Sequence, residues 1–171
     1  MYSMITSQTS LADVITLDEV KRQCRILPDD NLDDDDLTHL ISVCTELAQT
    51  YTHRLLTPGE VICEVEESVT EIQLPWGNAS SVQSVTVDGA DISDYTFSPV
   101  TQKVKFSSLV SNVVVTYLAG YPEVPTKVKH GILMMISTFY NNRDDFISGM
   151  TIEEIPTTSR KILDSVRFYL V

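Results

Sequence analysis

A helical repeat that gives way to strand-like alternation at Pro58-Gly59 is the feature that most constrains the fold. Apolar side chains recur at steps of three and four over about five turns, which predicts one buried helix face. After Pro58-Gly59 the apolar period falls to two, as expected for strands. The chain must therefore combine helices with a sheet. The stripe consists of Leu37, Leu40, Ile41, Cys44, Leu47, Ala48, Tyr51 and Leu55.

The alternating region, residues 60–118, predicts about six short strands and thus a small antiparallel sheet or sandwich. Turn signals separate the strands at Pro75-Trp76-Gly77, Asp88-Gly89 and Ser98-Pro99. The predicted strands are 61–66, 71–74, 82–87, 95–97, 103–106 and 113–117.

Helices are predicted on both sides of this region. Two lie within residues 15–57, the first opened by a capping box between Thr16 and Glu19. Two more are predicted over 125–142, with Pro125 in the first turn, and over 159–170. Gly131 inside the third helix suggests the close approach of another backbone. Residues 1–14 are weakly patterned and are predicted to be a flexible arm.

These elements predict an α+β fold in one domain over residues 1–171. It is a helical bundle, with two N-terminal and two C-terminal helices, that carries the inserted antiparallel sheet or sandwich. Hydrophobic residues at 43% and charged residues at 21% are ordinary for a globular domain.

The net charge of −12 argues against a protein that wraps nucleic acid, because affinity for phosphate comes mainly from Lys and Arg. The longest apolar run, residues 113–119, is too short to span a membrane, and the first residues predict no secretory signal. Cys24, Cys44 and Cys63 form no CxxC pair, so we expect buried thiols in a reducing compartment, the cytosol.

An aspartate-rich segment, residues 29–36, is the strongest candidate for a metal site. A calcium loop starting at Asp29 would place Asn31 and Asp33 correctly, but its sixth and twelfth positions hold Asp34 and Leu40 instead of glycine and an acid. We interpret the aspartates as capping the second helix and complementing its positive end.

No other set of residues indicates chemistry. His39, His53 and His130 lack ligand-like spacing, and no serine has a recognisable histidine partner. The sequence thus predicts no catalytic residue, no metal and no cofactor, and a protein that is not an enzyme. Trp76 is left as either an interface anchor or a residue of loop packing.

Several segments of the chain occur in an order that is typical of one protein family. They are 15–21, 24–26, 35–48, 51–54, 72–75, 82–87, 115–121, 124–125 and 140–143. Together they resemble the head-tail connector (adaptor, head completion) proteins of tailed bacteriophages. Members often read Tyr-Thr-Gly-Arg where this chain has His53 in place of the glycine, and this difference puts only the local turn in question.

The resemblance implies a structural subunit of the virion, assembled in the host cytoplasm. It would form a homo-oligomeric ring, typically dodecameric, beneath the portal protein at the head-tail interface. That ring would extend the channel through which DNA passes without sequence-specific binding, and it would dock the stopper or tail proteins. No membrane is implied, and the sequence does not identify the ring-interface residues.

A non-catalytic β-sheet module that binds a carbohydrate or peptide is the alternative function. It would need a concave aromatic site, whereas only 8% of the residues are aromatic and they are scattered. The apolar C-terminal segment is the candidate for docking on the portal, and the competing interpretation is that it completes this subunit's own core. The docking candidates are Ile162, Leu163, Val166, Phe168, Tyr169 and Leu170.

Overall fold

The computed structural model describes residues 1–11, 14–142 and 157–169. These residues form four helices and eight strands in two antiparallel sheets, which confirms the predicted α+β fold. The helices are α1 (Leu17–Cys24), α2 (Asp34–Thr52), α3 (Thr126–Asn141) and α4 (Thr157–Asp164). The strands are β1 (Tyr2–Gln8), β2 (Gly59–Val65), β3 (Val69–Gln73), β4 (Ala79–Val87), β5 (Ala90–Asp91), β6 (Tyr95–Ser98), β7 (Lys103–Val110) and β8 (Val113–Ala119).

The chain divides into two compact units. The sandwich unit contains Met1–Thr9, His53–Glu123 and Phe168–Val171, and the helical unit contains Ser10–Thr52 and Val124–Arg167. The prediction of one connector domain over residues 1–171 stays a prediction.

Two sheets share one core in the sandwich unit. The five-stranded sheet has the order β1-β2-β8-β4-β5, and the three-stranded sheet has the order β3-β7-β6. Side chains of the first, such as Val61 and Val115, form one buried cluster with those of the second, such as Ile72 and Val104. Because successive residues of a strand point to opposite faces, the alternation seen in the sequence produces this core. Of the two predicted arrangements, the structure therefore has the sandwich.

The prediction of a flexible arm over residues 1–14 is wrong for β1. This strand pairs antiparallel with β2 from Tyr2 opposite Glu64 to Gln8 opposite Gly59. The Thr6 hydroxyl also donates a hydrogen bond of 2.9 Å to the Glu60 carboxylate. The β2 edge supplies a row of backbone partners, and β1 satisfies them although its own sequence shows weak alternation.

The described part of the helical unit contains four helices. As predicted, α2 packs on α3, and α1 and α4 both pack against these two helices. The two long helices are antiparallel, since Tyr140 near the end of α3 donates a hydrogen bond to Asp33 just before α2. Leu37, Ile41, Cys44 and Ala48 of the predicted stripe are buried, whereas Leu40, Leu47 and Tyr51 are half-buried at its margin. Leu55 was wrongly assigned to this stripe, because α2 ends at Thr52 and Leu55 is buried in the core of the sandwich unit.

The start of α1 agrees with the sequence prediction, whereas the end of α4 does not. The Thr16–Glu19 capping box is present at α1, as predicted. The last helix is shorter than the predicted 159–170, because i→i+3 bonds from Ser165, Val166 and Arg167 tighten its final turn and end it at Asp164.

Gly131 leaves space on α3 in which side chains of α4 pack. A methyl group there would lie 3.3 Å from Leu163 and 3.4 Å from Ile162, so side chains occupy the space that a larger residue would fill. The atoms nearest to this position are side-chain atoms of α4, whereas the sequence predicted another backbone.

Candidate assembly surfaces

The aspartate-rich segment is explained by contacts within the helical unit. The Lys21 ammonium group lies 2.7 Å from Asp34 Oδ1 and donates a hydrogen bond of 3.0 Å to Asn31 Oδ1. Asp33 accepts the hydrogen bond from Tyr140, and Asp34–Asp36 occupy the first turn of α2, where the helix dipole favours negative charge. Among the described residues, no group of His, Cys, Asp and Glu could hold a metal ion.

All three cysteines are free thiols. Cys44 and Cys63 are buried free thiols, and burial raises the pKa of Cys44 to about 12 and of Cys63 to about 11. Cys24 is a half-buried free thiol whose pKa burial also raises. None of these thiols has the lowered pKa that a nucleophilic cysteine requires.

His53, where the connector pattern often has glycine, adopts a φ of +50° directly after α2. Glycine tolerates this backbone region best, and histidine is among the side chains that enter it more often than most. The His53 carbonyl accepts a hydrogen bond of 2.8 Å from Gly77 N–H. The turn is therefore formed with histidine in the position, and the departure from the pattern does not disrupt it.

Trp76 belongs to the packing of its own loop. It is half-buried against the sandwich core, and its backbone N–H donates a hydrogen bond of 3.2 Å to the hydroxyl of fully buried Tyr117. Its ring meets His53 edge-on at 6.5 Å. Of the two interpretations left by the sequence, the structure favours loop packing.

The predicted docking residues of the C-terminal segment differ in exposure. Leu163 is fully buried, and with Ile162 it lies over Gly131, so both contribute to the packing of the helical unit. Val166 is half-buried. Leu170 lies outside the described residues.

Phe168 and Tyr169 belong to the sandwich unit. The half-buried Phe168 ring packs at Gly77, under the guanidinium of Arg54 at 5.7 Å. Tyr169 is 59% exposed and is held by its backbone carbonyl, which accepts a hydrogen bond from Gln73. The prediction that this segment docks on the portal remains open, and Tyr169 is the most exposed of the described docking candidates.

The sequence did not predict an exposed apolar surface on the five-stranded sheet. Opposite residues of paired strands share a face, and the register places Met4 beside Ile62, Tyr2 beside Glu64, and Glu60 beside Leu118. Tyr2 is 61%, Met4 47% and Leu118 38% exposed. We call this surface, with its apolar residues Tyr2, Met4, Ile62, Val114 and Leu118, the apolar sheet face.

The outward surface of the three-stranded sheet has a different character. Lys103 and Lys105 lie on β7, on the side opposite the core residues Val104 and Phe106, and both ammonium groups approach Glu71. Leu109, next to the core-facing Val110, is 67% exposed. We call the surface made by Lys103, Lys105 and Leu109 the lysine sheet face.

Comparison with known proteins gives one family and several structures. The family model of phage gp6-like head-tail connector proteins matches residues 14–99, from α1 to β6. No curated protein matches the sequence.

Structures of gene transfer agent (GTA) particles share the fold. A chain of the neck of an empty GTA particle, computed with C6 symmetry, superposes with a TM-score of 0.75 at 12% identity, over 100% of this chain and 97% of that one. A chain of the native GTA virion gives the same values. A chain of the native GTA neck, computed with C12 symmetry, gives a TM-score of 0.70 at 11% identity, over 98% of this chain and 97% of that one.

Proposed function

The chain belongs to the family of phage gp6-like head-tail connector proteins, and from that premise we propose that it forms a ring in the neck of a virion. It is a structural connector subunit. We propose that its ring lies beneath the portal, continues the DNA channel, and presents a surface to the stopper or tail proteins. Subunits would be made in the host cytoplasm and would act without catalysis.

The family match across half of the chain is the observation that carries this proposal. The shared fold with chains from GTA necks, whose structures were computed with C6 and C12 symmetry, supports a ring. The acidic composition suits a channel wall along which DNA slides, because such a wall repels phosphate.

Complementation of particles that lack the chain tests the function. We expect the purified protein to form annuli visible by electron microscopy, and to restore joining of tails to DNA-filled heads assembled without it. A protein that never forms annuli and restores no joining, at concentrations where it is folded by circular dichroism, would contradict the proposal.

We also propose that the C-terminal segment contributes the contact with the portal, with Tyr169 as the exposed anchor. Deleting residues 159–171 would remove Leu163 from the core, so a point substitution is the sharper test. We expect Tyr169→Asp to form rings but to bind portal-containing heads at least tenfold more weakly. Val100→Asp, at a side chain that is 90% exposed on a turn, is the control. Wild-type binding by Tyr169→Asp would refute this assignment.

A further inference from the structure

We propose that the apolar sheet face of one copy binds the lysine sheet face of the next copy, and that this contact joins neighbouring subunits of the ring. The inference rests on the proposed ring and identifies the surfaces that build it. Both faces belong to the sandwich unit, one on each of its two sheets.

The apolar sheet face has the properties of a covered surface. The segment from Met1 to Ala12 contains no charged residue, although charged residues make up 21% of the chain. Its strand β1 is at the free edge of the five-stranded sheet, seven residues long, and contains no lysine or proline. Soluble proteins usually protect such an edge with charge, proline or a covering element. An edge this neutral, beside exposed Tyr2, Met4 and Leu118, indicates a surface that another protein covers.

Charge complementarity selects a second copy as that protein. The sandwich unit has nine acidic side chains and only three basic ones, so two copies repel unless the basic groups lie in the contact. Two of the three, Lys103 and Lys105, lie together on the lysine sheet face. They share Glu71 as a partner, so together they exceed its charge by one, and Lys105 is 60% exposed. The apolar sheet face carries the matching carboxylates, since Glu60 and Glu64 are on β2 between its apolar residues. Leu109 would enter the apolar area between these charges.

The use of two different faces is what a ring requires. A contact between identical patches closes a two-fold dimer, whereas a contact between different patches repeats from copy to copy and closes into a ring. The two faces are the outward surfaces of opposite sheets, so each copy can bind one neighbour through each of them.

Glutamate substitutions on each face, alone and mixed, test the contact. Met4→Glu places a charge on the apolar sheet face, Leu109→Glu does so on the lysine sheet face, and Val100→Glu is the exposed control. Tyr2→Glu and Lys105→Glu are the second variant of each face, for use if a first variant is misfolded by circular dichroism. Assembly is measured by sedimentation velocity and electron microscopy.

We expect Met4→Glu and Leu109→Glu each to lower ring formation at least tenfold, and Val100→Glu to form rings like the parent. An equimolar mixture of Met4→Glu and Leu109→Glu should give one-to-one dimers and no rings, because one intact contact remains between the two variants. The inference is wrong if the parent and the two variants all form rings. It is also wrong if the parent forms rings but the mixture gives no dimer. In both cases the proposed function stands. If the parent forms no ring, the inference is wrong, and the proposed function falls with it when the protein also restores no joining of tails to heads.

Discussion

Removal of the Lys21 charge should destabilise the helical unit, because this lysine is the buried link between α1 and the start of α2. Its side chain is 5% exposed, and its ammonium group contacts Asp34 at 2.7 Å, Asn31 at 3.0 Å and the Pro28 carbonyl at 3.4 Å. Lys21→Met keeps most of the volume of the side chain and removes the donor from all three oxygen atoms.

The loss of stability depends on how well the unpaired Asp34 carboxylate is compensated after the substitution. Breaking a fully buried ion pair by removing one partner costs about 3–5 kcal/mol. The Asp34 side chain is 28% exposed and in the first turn of α2, so water and the helix dipole would partly compensate its charge. We therefore expect Lys21→Met to lower the free energy of unfolding by about 2–3 kcal/mol, or Tm by about 5–10 °C for a chain of this size.

Urea unfolding followed by circular dichroism at 222 nm measures this effect, because all described helices belong to the helical unit. Lys105→Met is the matched control: its side chain is 60% exposed, it lies 3.5 Å from Glu71, and its loss should cost under about 0.5 kcal/mol. If Lys21→Met unfolded within about 0.5 kcal/mol of the parent, the Lys21 contacts would contribute no more than a surface ion pair.

Two further predictions concern a turn and a helix cap. Gly120→Ala should destabilise the sandwich unit by about 1–2 kcal/mol more than Gly89→Ala does, as read from the fluorescence of the single Trp. Both glycines have positive φ, but a methyl group at Gly120 would clash with the Thr57 carbonyl oxygen, whereas one at Gly89 would meet no atom within 4 Å. Equal losses would contradict the steric argument. The pKa of Glu19 in the folded protein is lowered, mainly because its carboxylate accepts a hydrogen bond from Thr16 N–H. The charged carboxylate therefore stabilises the fold fully above the ordinary pKa of 4.5. This stability is lost as the pH falls through the lower pKa of the folded state. The free-energy difference between Glu19→Gln and the parent should therefore shrink in unfolding curves below about pH 4, and a constant difference would contradict the assignment.

The long amphipathic elements could be predicted from the sequence because one local rule fixes each of them. Leu37, Ile41, Cys44 and Ala48 recur at helical spacing and are buried together on α2. The capping box at Thr16 is equally local, since it needs only residues three apart. The two sheet orders could not be predicted, because strand pairing joins segments as distant as β2 and β8.

The C-terminal segment shows where helical spacing misleads. Ile162, Leu163 and Val166 continue an apolar stripe, yet the last turn tightens and the helix ends at Asp164. Phe168 then packs at Gly77, nearly a hundred residues earlier in the chain. A contact so distant in sequence leaves no periodic signal, so the predicted boundary of 170 was too late.

One feature of β1, the outward direction of its apolar side chains, explains both why this strand was not predicted and why it suits the proposed ring contact. In a strand over a core, the larger apolar side chains usually point inward, and this alternation reveals the strand. In β1 the outward positions carry Tyr2 and Met4. Of the inward residues, Ile5 packs against the core but Ser3 is small and polar, so the usual pattern is weak. A strand that directs two of its three large apolar side chains away from its own core is suited to a core that a second molecule completes. The weak pattern that suggested a loose arm is what the proposed ring contact predicts for the sequence of one subunit.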